Sequence, residues 1–341
     1  MIFWLSSLKK KNTSGVSVAS YDLCKAFDKV SFNNLVKYLL TTSLPHGFIS
    51  WYMDSLSNQN FVMKYNSLHS SPVQVLSGIP QGSVLSPIMF SCYMSQIICT
   101  KSFQLTYADD ITCVVVHKQG NNHTLEFIEA MIEMEEQIAK VNLSINKKKC
   151  QFLKLSKSSS FNISDEFLTA NDYSNFTDTI CILGVTFNAK LSWNQHFDNI
   201  HLKANKRIFL LRHLRPFFNS TNLATIYFSV IRSILEYCNV VFTGATFADQ
   251  SKLNSVQCRA HNAICGWQCN CSIFPNLSSH RQEQAIKLFL QAASNQQHPL
   301  YNLIPEWLKN SSRFKQPYAS TTRRHKSFVN ICTVWANDKY L

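Results

Sequence analysis

Hydrophobic and polar positions along the chain fall into blocks whose period changes between two and about four, and each block predicts an element. Val16 and Val18 alternate with small polar residues, the mark of a short strand ending near Asp22. From Phe32 the period lengthens, with Leu35 and Leu39 on one helical face, and Pro45 and Gly47 in "SLPHG" end that helix. "GFISWYMDSLSNQ" reads as a second short helix, and "NFVMKYNS" with "SSPVQVLSG" as paired strands around a Ser-rich turn. "GIPQGSVLSPIMFSCYMSQII" reads as a Gly- and Pro-bearing loop that leads into an apolar helix, Pro87 sitting in its first turn. Between Thr124 and about Val141 the residues Leu125, Ile128, Ile132 and Ile138 keep helical spacing while Glu133, Glu135 and Glu136 face away. "LSINKKKCQFLKL" returns the chain to strand.

The pattern then changes. Residues 156–178 are polar and suggest a boundary, and "ICILGVTFNAKLSW" reads as a hairpin with Gly184 at its tight point. Beyond it, Phe197, Ile200, Ala204, Ile208 and Leu211 share a helical face with Lys203, Lys206, Arg207, Arg212 and Arg215 along the other sides. A second, strongly apolar helix holds Leu223, Ile226, Tyr227, Val230, Ile231, Ile234 and Leu235, opened by the capping segment "NSTN". No repeat is visible, and from about residue 270 the polar segments carry no motif.

At 341 residues, with 45% hydrophobic and 16% charged residues, the chain has the composition of a folded protein of two or three domains. The net charge of +13 is uneven: residues 1–149 carry 13 Lys+Arg against 10 Asp+Glu, and the remainder 20 against 10. A basic second half points to a polyanionic partner, nucleic acid being the commonest. Twelve scattered cysteines form no disulfide framework and read as reduced, mostly buried thiols. "MIFWLSSLKKK" has its apolar run before its lysines, unlike a secretion signal, and no run reaches membrane-spanning length, so no membrane partner is expected.

Candidate chemistry begins at "LTYADDITCVVV", where Asp109 and Asp110 interrupt a β-branched run. Two like charges ~4 Å apart repel by about 4 kcal/mol even at an effective dielectric of ~20. A solvated hairpin tip relieves that repulsion, since Asp is a common turn residue. A divalent cation relieves it too, given further oxygen ligands. Asp22, at the end of the early strand, is the candidate third carboxylate. An all-oxygen set of this kind suits Mg²⁺ better than zinc or iron. Two ions ~3.5–4 Å apart would serve an in-line phosphoryl transfer.

Taken together, "YDLCKAFDKV", "GIPQGSVLSPIMF", "LTYADDITCVVV", "INKKKC" and "CILGVTFNAKLSW" resemble, in order and spacing, the polymerase motifs of non-LTR (LINE-type) retrotransposon reverse transcriptases. The resemblance covers roughly residues 16–190, and "YFSVIRSILEYCNVVFTGAT" looks like the thumb of the same elements. It implies an α+β fold: a polymerase palm of antiparallel sheet and packed helices, then a helical, basic, thumb-like region. The implied divisions are 1–155 for palm and a remnant of fingers, 156–190 for the end of the palm and the primer-grip hairpin, 191–270 for the thumb-like region, and 271–341 without assigned role. By position, Asp22, Asp109 and Asp110 match the catalytic, metal-holding aspartates. Phe27 matches the bulky residue beneath the nucleotide sugar, although an aromatic here equally suits core packing. Gln81 lies in the loop that passes the incoming nucleotide and template, with Gly78 and Gly82 permitting close backbone approach. Lys149 matches a lysine near the triphosphate, while its run of three lysines also suits a solvated face. Leu183 and Gly184 match the primer grip. Asp28 suits a structural role at the start of the following helix.

The implied reaction is template-directed addition of dNTPs to a DNA primer 3′ end on an RNA template, with two Mg²⁺ ions (Mn²⁺ as substitute) and a nuclear site of action. Lys203, Lys206 and Arg207 would track the nucleic-acid backbone. Where the resemblance implies a fingers region ahead of the first aspartate, only 21 residues precede Asp22, and no endonuclease-like segment is found. The expectation is therefore an N-terminally truncated reverse transcriptase with its fingers largely missing. The alternative is a catalytically inactive nucleic-acid-binding relic of the same fold. Cys258, His261, Cys265, Cys269 and Cys271 invite a zinc reading, but the first three also fall on one helix face.

Overall fold

The apolar run at residues 13–21 becomes a central strand, β1 (Thr13–Tyr21), because a neighbouring strand covers each of its edges; its burial is nearly continuous instead of alternating. A computed structural model describes residues 13–156, 161–266, 274–306, 308, 313–317 and 327–339. The chain divides into two compact units, one over Asn12–Gly184 and the other built on Val185–Leu341.

In the first unit, α1 (Phe32–Leu39) starts at Ser31, whose side chain accepts from the Asn34 N–H, and α2 (His46–Ser57) follows. The Ser-rich segment forms two short ladders, β2 (Asn60–Phe61) with β5 (Val73–Gln74) and β3 (Lys64–Tyr65) with β4 (Leu68–His69). Then come α3 (Ser86–Met94), with Pro87 in its first turn, the hairpin β6 (Phe103–Tyr107) and β7 (Asp110–Lys118), and α4 (His123–Lys140). The unit closes with β8 (Gln151–Ser156), α5 (Glu166–Ala170) and β9 (Phe176–Thr177). The sheet order is β6-β7-β1-β8-β9, antiparallel except for the parallel β8–β9 pair. Leu35, Leu39, Ile49, Tyr52, Phe90 and Tyr93 from the helices join Tyr21, Ile111 and Phe152 from the sheet in one core. The polar stretch after β8 contributes Phe161, Ile163, Leu168 and Tyr173 to that core, so it packs with the unit instead of linking away from it.

On α4 the buried residues are Phe127, Ala130, Met131, Met134 and Ile138, while Leu125 and Ile132 are exposed. That corrects the apolar face read from the sequence by about one residue. Two of the glutamates expected to face solvent are partners: Glu133 accepts from the Thr100 N–H and hydroxyl and from the Lys101 N–H, and Glu135 accepts from the Tyr173 hydroxyl. Buried Ser17, on the central strand, meets His117 Nε2 at 2.9 Å, and His117 Nδ1 meets Glu126 of α4 at 2.9 Å. This satisfies polar groups that would otherwise be costly inside a sheet.

Strands β10 (Thr179–Ile182) and β11 (Val185–Asn188) form a hairpin at the point where the chain passes from one unit to the next. The second unit is helical. Its longest helix, α6 (Asn194–Leu214), buries Phe197, Ile200, Ala204, Ile208 and Leu211, the face read from the sequence, and leaves Lys203, Lys206, Arg207, Arg212 and Arg215 exposed. Asn219 caps α7 (Ser220–Ile226), which continues through a wider π-type turn (Tyr227–Arg232) into α8 (Ser233–Glu236). Thr246 caps α9 (Phe247–Cys265), and Asn276 caps α10 (Leu277–Ser294). These helices bury Tyr227, Ile231, Leu235, Leu253, Val256 and Leu277 with the apolar face of α6. A smaller cluster joins Ala285 and Phe289 to Phe314 and to Phe328, Cys332 and Ala336 of α11 (Phe328–Lys339). Among the described residues no helix is long and apolar enough to cross a membrane.

Candidate active site

The register of β1 and β7 sets Tyr21 opposite Ile111, which brings the residue after β1, Asp22, to the end of the sheet where β7 begins with Asp110. On the other side of β7, Tyr107 pairs with Asp110, so Ala108 and Asp109 alone make the turn of the β6–β7 hairpin. Ala108 has φ +50°, a left-handed conformation that glycine adopts freely and alanine only at a cost. Both readings of the paired aspartates thus describe the same place: Asp109 is in a hairpin turn, and the turn stands at the strand end that carries Asp22.

The surroundings of Asp110 act against its charged form. Partial burial of its carboxyl raises the Asp110 pKa, and the negative charges of Asp109 and Asp22 raise it further. Asp22 is held by its own backbone: its carbonyl accepts from the Asn146 N–H at 2.7 Å, Leu23 bridges to Ile145, and the Cys24 N–H donates to Ser144 at 2.8 Å. The 3₁₀ turn Lys147–Lys149 follows directly and sets Lys149 Nζ 4.0 Å from Asp22 Oδ2. Asp22, Lys148, Lys149, Cys150, Gln151, Ser174 and Thr177 line an open cavity of about 410 Å³. Lys148 and Gln151 were not among the residues singled out from the sequence. Their signal was only adjacency to the lysine run and the start of β8.

Phe27 satisfies the packing side of its double reading: its ring stacks on Phe90 at a centroid distance of 3.9 Å and 14° between planes, while the residue stays half-buried. The Gly-bearing loop is tied to the same segment, the Gly78 N–H donating to Val30 and the Ile79 N–H to Phe27, both at 2.9 Å. Gly78 is glycine for this reason. At φ +97° a Cβ would lie 2.9 Å from the Asp28 carbonyl oxygen, so the close approach is to the chain's own backbone. Gly82 needs its conformation (φ +94°) but has open space around it, and Gln81 beside it is exposed. Asp28 does not begin the next helix, which Ser31 caps; it stands in the turn before it, where its carbonyl also accepts from the Ser77 hydroxyl. At the turn of the β10–β11 hairpin, Leu183 (φ +46°) and Gly184 (φ +77°) are both left-handed, the pattern of a two-residue type I′ turn, with Leu where Asn is usual.

As they stand, among the described residues no three His, Cys, Asp or Glu side chains close into a ligand shell. The aspartate set nonetheless fits a hard divalent cation by its chemistry: oxygen donors only, at a solvent-open strand end, with repulsion that a cation would relieve. The cysteine and histidine set lies only partly among the described residues. Cys258, His261 and Cys265 follow one another along α9, His261 rests against the Phe274 ring, and Cys269 and Cys271 lie outside the described residues.

Residues 3–187, more than half of the chain, match the family described as reverse transcriptase (RNA-dependent DNA polymerase). The chain is 22% identical over 283 residues to the probable RNA-directed DNA polymerase from transposon X-element of Drosophila melanogaster, covering 79% of this chain and 30% of that protein. It is 25% identical over 287 residues to the RNA-directed DNA polymerase from mobile element jockey of Drosophila funebris, covering 77% and 30%. The chain therefore spans less than a third of the length of these relatives. Among solved structures, apo telomerase from Candida tropicalis aligns with 77% of this chain and 43% of its own, at 13% identity and a TM-score of 0.43.

Proposed function

The chain belongs to the reverse transcriptase family, and from that premise we propose that its first unit adds deoxynucleotides to a primer 3′ end on an RNA template, as part of a LINE-type retrotransposon protein. The observation that carries the reading is the convergence of Asp22, Asp109 and Asp110 at one sheet end, where partial burial and then the other two charges raise the pKa of Asp110.

Asp22, Asp109 and Asp110 are the residues that would hold two Mg²⁺ ions, or Mn²⁺ in their place. Bound there, the ions would lower the pKa of the primer hydroxyl and neutralise charge on the departing pyrophosphate. The protein's own part is positional. The clamp of residues 144–146 on the Asp22 backbone fixes the first carboxylate, and the two-residue turn fixes the second pair. Lys149, within reach of Asp22, places a cation and proton donor where a triphosphate would lie. The Gly78 tether holds Phe27, whose ring edge would stand beneath the nucleotide sugar, and leaves Gln81 projecting from the same loop. The Leu183 and Gly184 turn would bear on the primer end. In the second unit, Lys203, Lys206 and Arg207 would contact backbone phosphates without reading sequence. A polymerase of this kind would act on target DNA in the nucleus.

Primer extension with oligo(dT) on poly(A) RNA, in Mg²⁺ and separately in Mn²⁺, tests the proposal against the Asp109→Asn variant. Loss of extension in a variant with unchanged circular dichroism supports it. Equal extension by both proteins defeats the metal-holding role. Template binding without extension by either leaves binding as the function of this chain.

A further inference from the structure

Arg281, in the second turn of α10, is 8% exposed, and its Nε, NH1 and NH2 all lack a hydrogen-bond partner among the described residues. Burial pulls its pKa down to about 10. On another helix the same unit buries a second guanidinium in the usual manner. Arg232, 5% exposed, donates from Nε and NH2 to the two oxygens of Glu236 at 3.0 and 2.9 Å, and from NH1 to the Pro275 carbonyl. Glu236 is thereby committed, and His280 Nε2 also lies 3.8 Å from it. Two buried arginines thus share the field of one carboxylate. Every Asp and Glu of the chain is among the described residues, and none of those side chains bonds to Arg281.

The guanidinium lines a partly enclosed cavity of about 240 Å³ together with Asn239, Thr243, Gln250, Ser278 and Gln282, walled by Phe197, Phe242 and Trp335. Amide and hydroxyl side chains from three separate segments line it, and Ser278 stands in the first turn of α10, where the helix dipole favours negative charge. A buried, unpaired, always-charged guanidinium facing polar donors is a site short of one anion.

We propose that this cavity binds a small free oxyanion of the phosphate type, inorganic phosphate or pyrophosphate, with Arg281 as its counter-charge. Its volume admits one such ion with a few waters and has no room for a nucleic-acid strand. The site lies wholly in the second unit, and its existence does not depend on polymerase activity.

The test is thermal unfolding and titration calorimetry of the full chain with inorganic phosphate and with pyrophosphate, at ionic strength matched with chloride. The expected result is a saturable rise in Tm of a few degrees, with one-site heats, for at least one of the two; their relative strengths identify the ligand. Arg281→Met should lose both responses while keeping or raising Tm in phosphate-free buffer, because it removes an uncompensated buried charge. Asn239→Asp, which builds a carboxylate into the cavity wall, should also raise Tm in phosphate-free buffer and lose the response. No saturable response in the wild-type chain, or an undiminished one in a folded Arg281→Met, would overturn the proposal. Should Arg281→Met not fold, the wild-type titration and Asn239→Asp decide it.

Discussion

At the scale of single residues, two of the left-handed non-glycine residues stand in turns given a role in the proposed chemistry. Ala108 pays for a left-handed φ at the turn that presents Asp109, and Leu183 does the same at the turn of the last hairpin. Ala108→Gly should therefore stabilise the protein by about 0.5–1 kcal/mol, read as a shifted urea midpoint at unchanged slope. A midpoint that stays put would mean that the turn is relaxed as it is. Gly78→Ala runs the other way. It meets both a positive φ and the Asp28 carbonyl at 2.9 Å, and should cost about 2 kcal/mol or more. The aspartates proposed for catalysis were legible from the sequence because adjacent charges in an apolar strand are conspicuous and because their spacing resembles that of a family. The reason for Gly78 was not. The carbonyl it avoids is fifty residues earlier, and only the folded loop brings the two together.

Among elements, α6 shows what a helical pattern conveys and what it hides. Its buried face was readable because five apolar residues repeat at the helical period over about four turns. The phase of α4 was misread because Leu125 and Ile132 also fit that period. Period alone cannot choose between faces one residue apart; Tyr173 and residues 100–101, which claim the glutamates, decide it. Nor did the pattern single out His196, buried at the start of α6 against Trp193, Phe197 and Phe242. Its Nδ1 accepts from the Thr186 N–H, its Nε2 is unpartnered, and burial, then Lys203, lowers its pKa to about 4. In the unfolded chain the same imidazole titrates near ~6.5. Between these values the unfolded state binds the extra proton. The stabilisation is thus full above about pH 6.5 and is lost as pH falls towards 4, by an amount on the order of 3 kcal/mol. Urea midpoints at pH 7.5 and 4.5, compared with those of His196→Phe, isolate this contribution. The variant should lose clearly less stability on acidification, and parallel losses would show that other groups carry the acid sensitivity.

Over the whole molecule, charge follows the units more sharply than it follows the halves of the sequence. Residues 12–184 hold 12 Lys+Arg against 14 Asp+Glu, and residues 185–341 hold 18 against 6. The sequence blurred this partition because residues 156–178 resemble a linker in composition, whereas their few aromatic and aliphatic side chains belong to the first core. The acidic unit carries the carboxylates proposed for catalysis, and the basic unit carries the exposed cations of α6. If those cations hold phosphates, removing them should weaken binding in a salt-dependent manner without touching the chemistry. Each phosphate contact contributes about 0.7–0.9 to the slope of log K against log salt. Lys203→Gln, Lys206→Gln and Arg207→Gln combined should therefore flatten that slope by about 2. Measured by fluorescence anisotropy on a labelled template-primer at several salt concentrations, an unchanged slope would move the backbone contacts off α6. The extension rate at saturating template-primer should stay near that of the unmodified chain, because the carboxylates and the Lys149 turn are all in the other unit. A fall in that rate with an unaltered slope would instead mean that α6 orders the reacting end and does not grip the backbone.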